Sequence, residues 1–389
     1  MKETTINLEL GVGKAECFNE IYFDMFKEIT SNGTLQESRN GNTIEVLDFK
    51  TIVTNPRKRC VGGYGRDINV FFLLAEALWI WSGRNDVKFL DIFNSQLKQY
   101  SDDGVVYHAP YGFRMRKFDV RSSESEISTG FDQLSTVIRM LDNDHSDRRA
   151  VIQIWNARLD LGVASKDIPC NDMWMLKIRD GKLHTTIQNR SNDLNLGLTT
   201  NIFQFSFLSE IIANMLGVEL GNQTHNSQSL HVYSNTILTE KLKSNTMFAP
   251  PAFPKNLYDS VSESLMDFDF SQSQSIEQKQ QRIDFFISSM ITLLIKKFDG
   301  TYDTEDAKFI EEQLLPFSKY LYFVFKLLEL YVLYKSKHIS KFTAIAGLLN
   351  KEYFQENDIT ILARNFFVSK LSEEEKTTLG FRYTDMGKY

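Results

Sequence analysis

The chain has 389 residues, 42% of them hydrophobic and 24% charged, with a net charge of −6. That length suits two domains, and that composition suits an ordinary globular protein. An acidic balance with no long basic block argues against non-specific nucleic-acid binding over a broad surface, yet a few local arginines suffice for a small phosphate ligand.

The first residues, Met1 to Thr5, are polar and lack the apolar core of a signal peptide. Thr43 to Phe49 alternates like a strand. Phe71 to Trp81 (FFLLAEALWIW) is apolar nearly all round and predicts a buried helix that carries one acid, Glu76. Ala150 to Trp155, Trp174 to Ile178 and Leu183 to Gln188 predict core strands, and Phe203 to Leu216 predicts a helix that Gly217 ends. Ser271 to Ser275 (SQSQS) is a short polar linker. Beyond it, residues 276–370 show repeated helical periodicity, as in Ile283 to Phe298 and Phe317 to Tyr334, and predict four or five packed helices. Pro316 either opens the latter helix or separates it from its predecessor. The expectation is an α+β domain over 1–270 and an all-helical extension over 271–389. The best apolar run, Phe285 to Ile295, reaches about half a membrane span, so no membrane partner is expected. The three cysteines, Cys17, Cys60 and Cys170, form no CxxC pair, which points to a reducing compartment, the cytoplasm, and to no structural metal.

Cys170 stands out through its surroundings, Ile168-Pro169-Cys170-Asn171, which read as a turn where reactive groups often sit. The bland alternative is a buried cysteine acting as a small hydrophobe. Nearby arginine lowers a thiol pKa, and the thiolate is the nucleophile. Arg148-Arg149 lead into an apolar strand and are either a solvated pair or phosphate ligands. Neighbours in extended structure point to opposite sides, so both reach one phosphate only at a strand end, a turn or a partner subunit. Arg190 with Ser191 offers a guanidinium fork plus a hydroxyl, a common phosphate cradle. Asn201 reads either as the N-cap of the following helix or as a carboxamide matched to the donor–acceptor edge of uracil. Glu76, an acid in an apolar helix, is costly to bury unless it holds its proton, which suits a proton shuttle. A zinc deaminase is poorly supported: position 173 is Met173, not cysteine, and no His-x-Glu occurs.

Together these residues resemble the thymidylate synthase family, which includes the phage pyrimidine-nucleotide hydroxymethylases. The resemblance covers roughly 15–270. It rests on Arg39-Asn40-Gly41-Asn42-Thr43, Glu76 with Leu78-Trp79, Tyr111-Gly112, Arg148-Arg149 and Pro169-Cys170. It continues through Gln188-Asn189-Arg190-Ser191-Asn192-Asp193, Gly197, Asn201, His231-Val232-Tyr233 and Pro251-Ala252-Phe253-Pro254-Lys255. It implies a three-layer fold around a mixed sheet and a homodimer with shared active sites. Cys170 then attacks C6 of a uracil nucleotide; Arg39 and Arg190, with Arg148 and Arg149 of the partner subunit, hold the 5′-phosphate, and Ser191 assists. Asn201 pairs with the pyrimidine edge, His231 and Tyr233 hold the sugar hydroxyl, and Asp193 and Gly197 lie on the folate side. Glu76 and Tyr111 manage protons and ordered water. The one-carbon donor implied is 5,10-methylenetetrahydrofolate.

Three departures bear on the product. Asn171 follows the cysteine where synthases usually carry histidine. Phe93 to Gly104 (FNSQLKQYSDDG) lacks the tryptophans that pack there in synthases. Met266 to Phe270 resembles the segment near a synthase's C-terminus, yet more than a hundred residues follow, closing on Asp385-Met386-Gly387-Lys388-Tyr389. All three lie where a synthase excludes water and presents folate for hydride transfer. The resemblance therefore implies hydroxymethylation of dUMP by water, of the kind phages use to make 5-hydroxymethyluracil DNA in the host cytoplasm. Thymidylate synthesis, and hydroxymethylation of dCMP or CMP, are the alternatives. The helical extension either packs on the catalytic domain or docks the enzyme to nucleotide-synthesis proteins.

Overall fold

A computed structural model describes residues 5–7, 11–38, 41–60, 68–119, 121–123, 126–128, 130–236, 239–240, 266–350 and 357–378. Arg39, Pro251 to Lys255 and Asp385 to Tyr389 lie outside the described residues.

Among them, a nine-stranded mixed sheet forms the centre. Its main path runs β1 (Thr5–Asn7), β2 (Val12–Ala15), β4 (Thr43–Val53), β11 (Glu219–Tyr233), β9 (Lys182–Asn189), β8 (Asn171–Arg179) and β7 (Val151–Gln153). The short β3 (Thr34–Gln36) and β10 (Asn192–Asp193) flank β4 and β11. A separate hairpin joins β5 (Arg121–Ser123) to β6 (Glu126–Ser128). β8 and β9 pair antiparallel, whereas β9 and β11 pair parallel. Inward side chains alternate as the pleat requires: Trp174, Leu176 and Ile178 on β8, Leu183 and Ile187 on β9 are buried. The opposite face presents Ile52, Val151, Met173, Met175, Thr186 and Thr224, none of them fully buried.

The covered face packs against α1 (Tyr22–Asn32), while α2 (Val70–Trp81) packs on the helix Thr199–Leu216 that lies over the strands. α3 (Val87–Phe93), α4 (Tyr111–Arg116), α5 (Gln133–Asn143) and α6 (Ala157–Asp160) follow, and α7 (Thr199–Leu216) completes the set. The apolar helix expected over Phe71 to Trp81 is α2, buried along ten of its positions, as its uniform hydrophobicity demands. α7 ends at Gly217 in the left-handed conformation, φ 66°, as expected. It begins earlier than the sequence pattern suggests, at Thr199, so Asn201 lies inside the helix and the N-cap reading of that residue fails. The strand expected from Ala150 to Trp155 shrinks to β7, because Ile154 and Trp155 turn to donate their N–H groups to Asp172 O.

The C-terminal helices are α8 (Ile276–Asp299), α9 (Thr304–Phe317), α10 (Lys319–Lys335), α11 (Lys341–Leu348), α12 (Asp358–Val368) and α13 (Glu373–Thr378). Pro316 lies in the last turn of α9, and Ser318 N-caps α10 by accepting from Leu321 N, so Pro316 divides the two helices. The extension shares one core with α2 and α7: Phe71 stacks on Tyr331 with ring centroids 4.6 Å apart and meets Phe366 and Phe367 edge-on. Asp284 of α8 accepts from Trp81 Nε1 at 2.8 Å and pairs with Arg116.

Between α7 and the 57–60 segment, fully buried Glu210 takes Arg57 at 2.9 Å and Arg59 as well. Removing one partner of such a pair leaves the other charge buried and unmatched. Glu210→Ala is therefore expected to cost about 3–5 kcal/mol, measured by urea denaturation with turnover-independent spectroscopy. A cost below about 1 kcal/mol means that water reaches Arg59 and screens it.

Candidate active site

Cys170 sits at the bend that opens β8, half-buried beneath Arg190. The two segments are zipped together: Arg190 N donates to Cys170 O at 3.0 Å, and the guanidinium donates to Pro169 O at 2.9 Å and Ile168 O at 3.2 Å. Its Nη2 stands 3.9 Å from Cys170 Sγ, and its plane lies 5.6 Å from the Trp155 ring centre. Burial pushes the thiol up from its ordinary value, and the Arg190 charge pulls against that rise. Ser191 follows Arg190, half-buried.

Immediately after Cys170 the pairing of β8 with β9 slips between Asn171 and Met173, leaving Asp172 as a bulge. A pleat alternates, so the extra residue turns Asn171 inward in step with Trp174. There Asn171 lies opposite Asn189, and both are buried. Asn189 Nδ2 donates to Asn171 Oδ1, which also accepts from Asn201 Nδ2 at 3.3 Å, while Asn171 Nδ2 donates to Asn201 Oδ1 at 3.4 Å. Asn201 is therefore brought beside the strand that Cys170 opens, from α7 across the sheet.

One turn along the same α7 face, Gln204 donates to Glu76 on α2. The Glu76 carboxyl keeps partial exposure, but the protein around it raises its pKa to about 8 through burial, against the opposing effect of the Gln204 bond. At neutral pH it carries its proton. Tyr111 opens α4, its ring 6.5 Å from Phe205, and the Cys170 backbone N–H faces its hydroxyl. Burial raises the Tyr111 pKa, and nearby Cys170, Asp167 and Glu76 add to the rise. The glycine after it is a packing requirement: a Cβ on Gly112 would stand 1.9 Å from Ile80 O, so α4 closes onto the end of α2 only without one.

Asp193 and His231 face each other in the parallel pairing of β10 with β11, and the His231 and Tyr233 rings meet edge-on at 5.7 Å. Asp193 caps the π-helical turn Leu194–Leu198, and a Cβ on Gly197 would stand 3.0 Å from Asn192 Oδ1. These residues gather beyond the Asn189 end of β9, on the side of Cys170 and Arg190.

Arg148 and Arg149 are elsewhere. Lys177 Nζ donates to Arg148 O, and Arg149, 83% exposed, pairs with Asp147 at 2.8 Å. They stand at the far end of β8, roughly 20 Å from Cys170 at the usual rise per strand residue. They do not join the Cys170 site of their own chain.

Four neighbours escaped the sequence reading. Asn171 was marked only as a departure, and Asn189 and Gln204 carried no separate signal because their roles arise across strands and helices. Asp167, three residues before Cys170, accepts from Ala109 N at 2.9 Å; burial raises its pKa, and its charge bears on both Cys170 and Tyr111. An acid so close to Pro169-Cys170 was a legible signal. The tryptophan-free segment includes the turn Ser95–Tyr100, exposed except for the partly buried Leu97, and Asp102 reaches across to Ser165 Oγ at 2.7 Å and Lys166 N at 3.1 Å in the loop that leads to Cys170. Among the described residues no cluster of three or more His, Cys, Asp or Glu could hold a metal, and no helix is long and apolar enough to cross a membrane.

A family model described as thymidylate synthase matches residues 20–282. The deoxyuridylate hydroxymethyltransferase of Bacillus phage SP01 is 38% identical over 216 residues, covering 55% of this chain and 56% of that protein. The protein of the same description from Pseudomonas phage M6 is 37% identical over 213 residues, 54% of this chain and 58% of its own length. Thymidylate synthase 1 of Bacillus subtilis (strain 168) is 36% identical over 176 residues, 44% of this chain and 60% of the relative. The chain thus spans less than two thirds of each of these relatives.

Proposed function

Because the chain belongs to the thymidylate synthase family, a family of one-carbon transferases, we propose that it hydroxymethylates dUMP at C5, with water as the source of the hydroxyl. The observation that carries this reading is the Cys170–Arg190 pair beside the buried carboxamide of Asn201. A thiolate at C6 makes C5 of uracil a carbon nucleophile, which splits one hard step into easier ones. Arg190 stabilises that thiolate and, with Ser191 and Arg39, takes the 5′-phosphate. Asn201 pairs with N3–H and O4. Glu76, protonated at neutral pH, places a donor where charge develops on the pyrimidine oxygen, and Tyr111, which burial keeps protonated, offers a further hydrogen-bond donor beside Cys170. His231 and Tyr233 fit the sugar hydroxyl, and Asp193 with Gly197 the folate side. The co-substrate 5,10-methylenetetrahydrofolate supplies the carbon that becomes the C5 substituent.

Once that carbon is on C5, the exocyclic methylene is an electrophile. Water adds to give hydroxymethyl; hydride gives methyl. The mostly exposed Ser95–Tyr100 turn, in a segment from Phe93 to Gly104 that carries no tryptophan, favours water. So does the likeness to phage proteins described as deoxyuridylate hydroxymethyltransferases, which also suits a role in the host cytoplasm. Incubation with dUMP and methylenetetrahydrofolate, followed by mass analysis, tests the reading. The expected product gains CH2O with tetrahydrofolate formed alongside. A gain of CH2 with dihydrofolate makes the protein a thymidylate synthase, and turnover of dCMP instead makes it a cytidylate hydroxymethylase.

The distant arginines support a homodimer that pairs through the open sheet face and lends Arg148 and Arg149 to the partner's site. Neither Arg148→Ala nor Cys170→Ala is expected to turn over alone at more than about a hundredth of the wild-type rate. Mixed and refolded together, they are expected to recover about a quarter of wild-type activity, because half the dimers then hold one whole site. No recovery in a mixture shown to exchange subunits counts against shared sites. The helical extension, 271–389, fits a structural role best, since its aromatic core is continuous with α2.

A further inference from the structure

We propose that Asn171 is a specificity-determining positioning residue: anchored by Asn189, it locks the carboxamide of Asn201 in one orientation and thereby selects uracil over cytosine. The inference rests on the dUMP reading above and on Asn201 as the residue that meets the base.

A carboxamide alone does not discriminate between these bases. In one orientation its oxygen accepts N3–H of uracil while its nitrogen donates to O4. Rotated by half a turn, its nitrogen donates to N3 of cytosine while its oxygen accepts from the exocyclic amine. Both complexes satisfy every group, so an asparagine free to rotate serves either base. Discrimination requires that one orientation be held before the nucleotide arrives.

The structure contains such a hold. Asn171, Asn189 and Asn201 are all buried and bond to one another, while Asn189 Oδ1 meets no hydrogen-bond partner among the described residues. Asn189 Nδ2 donates to Asn171 Oδ1, which sets which end of Asn171 is the acceptor. Asn171 then meets Asn201 with both ends: it accepts from Nδ2 at 3.3 Å and donates to Oδ1 at 3.4 Å. Turning Asn201 over would set oxygen against oxygen and nitrogen against nitrogen. Asn201 keeps one N–H and one oxygen lone pair for the base, in a fixed sense. The bulge at Asp172 puts Asn171 in position, because without it this side chain would face the other side of the sheet.

The test compares kcat/KM for dUMP and for dCMP in the wild type, Asn171→Leu and Asn171→Ser, with C5–H exchange as a second readout. Leucine keeps the volume and loses both polar ends; serine is too short to span to Asn201. The hold consists of one or two hydrogen bonds, so the dUMP-to-dCMP ratio is expected to fall about 10- to 100-fold in either variant. The fall should come with rising or unchanged use of dCMP. Should Asn171→Leu fail to fold, Asn171→Ser carries the comparison. An unchanged ratio, with both nucleotides losing equally, makes Asn171 a merely structural residue and overturns the proposal. If wild-type protein ignores dUMP, the function itself fails and this inference falls with it; a functional wild type with an insensitive ratio sinks the inference alone.

Discussion

Cys170→Ser is expected to lower turnover of dUMP by about 10⁴-fold or more, some 5 kcal/mol of barrier. A serine hydroxyl is a far weaker nucleophile than a thiolate, and nothing near position 170 is arranged as its base. The Arg190 guanidinium at 3.9 Å is a fixed charge that steadies a thiolate but cannot take a proton. The variant should still fold and bind dUMP, since the segment is held by hydrogen bonds from the Arg190 guanidinium to the carbonyls of Ile168 and Pro169 and from its N–H to that of Cys170, which the substitution leaves alone. Two measurements separate the roles. Acid-quenched intact-protein mass should show a nucleotide adduct on the wild type and none on the variant, while equilibrium dialysis should show dUMP binding within a few-fold of wild type. An adduct retained in Cys170→Ser would place the nucleophile elsewhere.

Replacing Glu76 by glutamine is expected to move activity and stability in opposite directions. The side chain keeps its shape and can still pair with Gln204, but it can no longer deliver a proton. A positioned general acid contributes about 10²- to 10⁴-fold, so kcat should fall by that order. In the wild type, kcat should decline as pH rises through about 8, where Glu76 loses its proton, and this limb should vanish in Glu76→Gln. Stability shows the other side of the same shift. Folded Glu76 holds its proton up to about 8, whereas the unfolded side chain releases it near 4.5. The folded state therefore binds more protons across that window, and the wild type loses stability as pH rises through it. Glutamine has no charge to bury, so at pH 9 the variant should be more stable by on the order of 2–4 kcal/mol. Below pH 4 the two should agree. Equal stability at both extremes of pH would mean that water or an unseen partner neutralises the carboxylate at little cost.

The sequence by itself determined the elements whose signals are local. α2 was legible because eleven of its twelve side chains are apolar and one acid stood out among them. β8 and β9 were legible from alternation, the end of α7 from Gly217, and the family from the spacing of short motifs around Cys170 and Arg190. What only the tertiary structure decided were pairings between residues far apart in the chain. Asn201 read equally well as an N-cap until α7 was seen to start at Thr199 and carry that side chain inward to Asn171. Asn171 looked like a simple departure until the bulge turned it to face Asn189. Glu76 was visible as an oddity, but Gln204 as its partner was not. Arg148 and Arg149 read as phosphate ligands lent to a partner subunit, but their distance from their own chain's Cys170, a strand's length, is fixed only by the register of β7 against β8. The physical reason is common to all four. Period and composition report which face of an element is buried, whereas hydrogen-bond partners depend on register and crossing between elements, and those are set only when the sheet and helices close on one another.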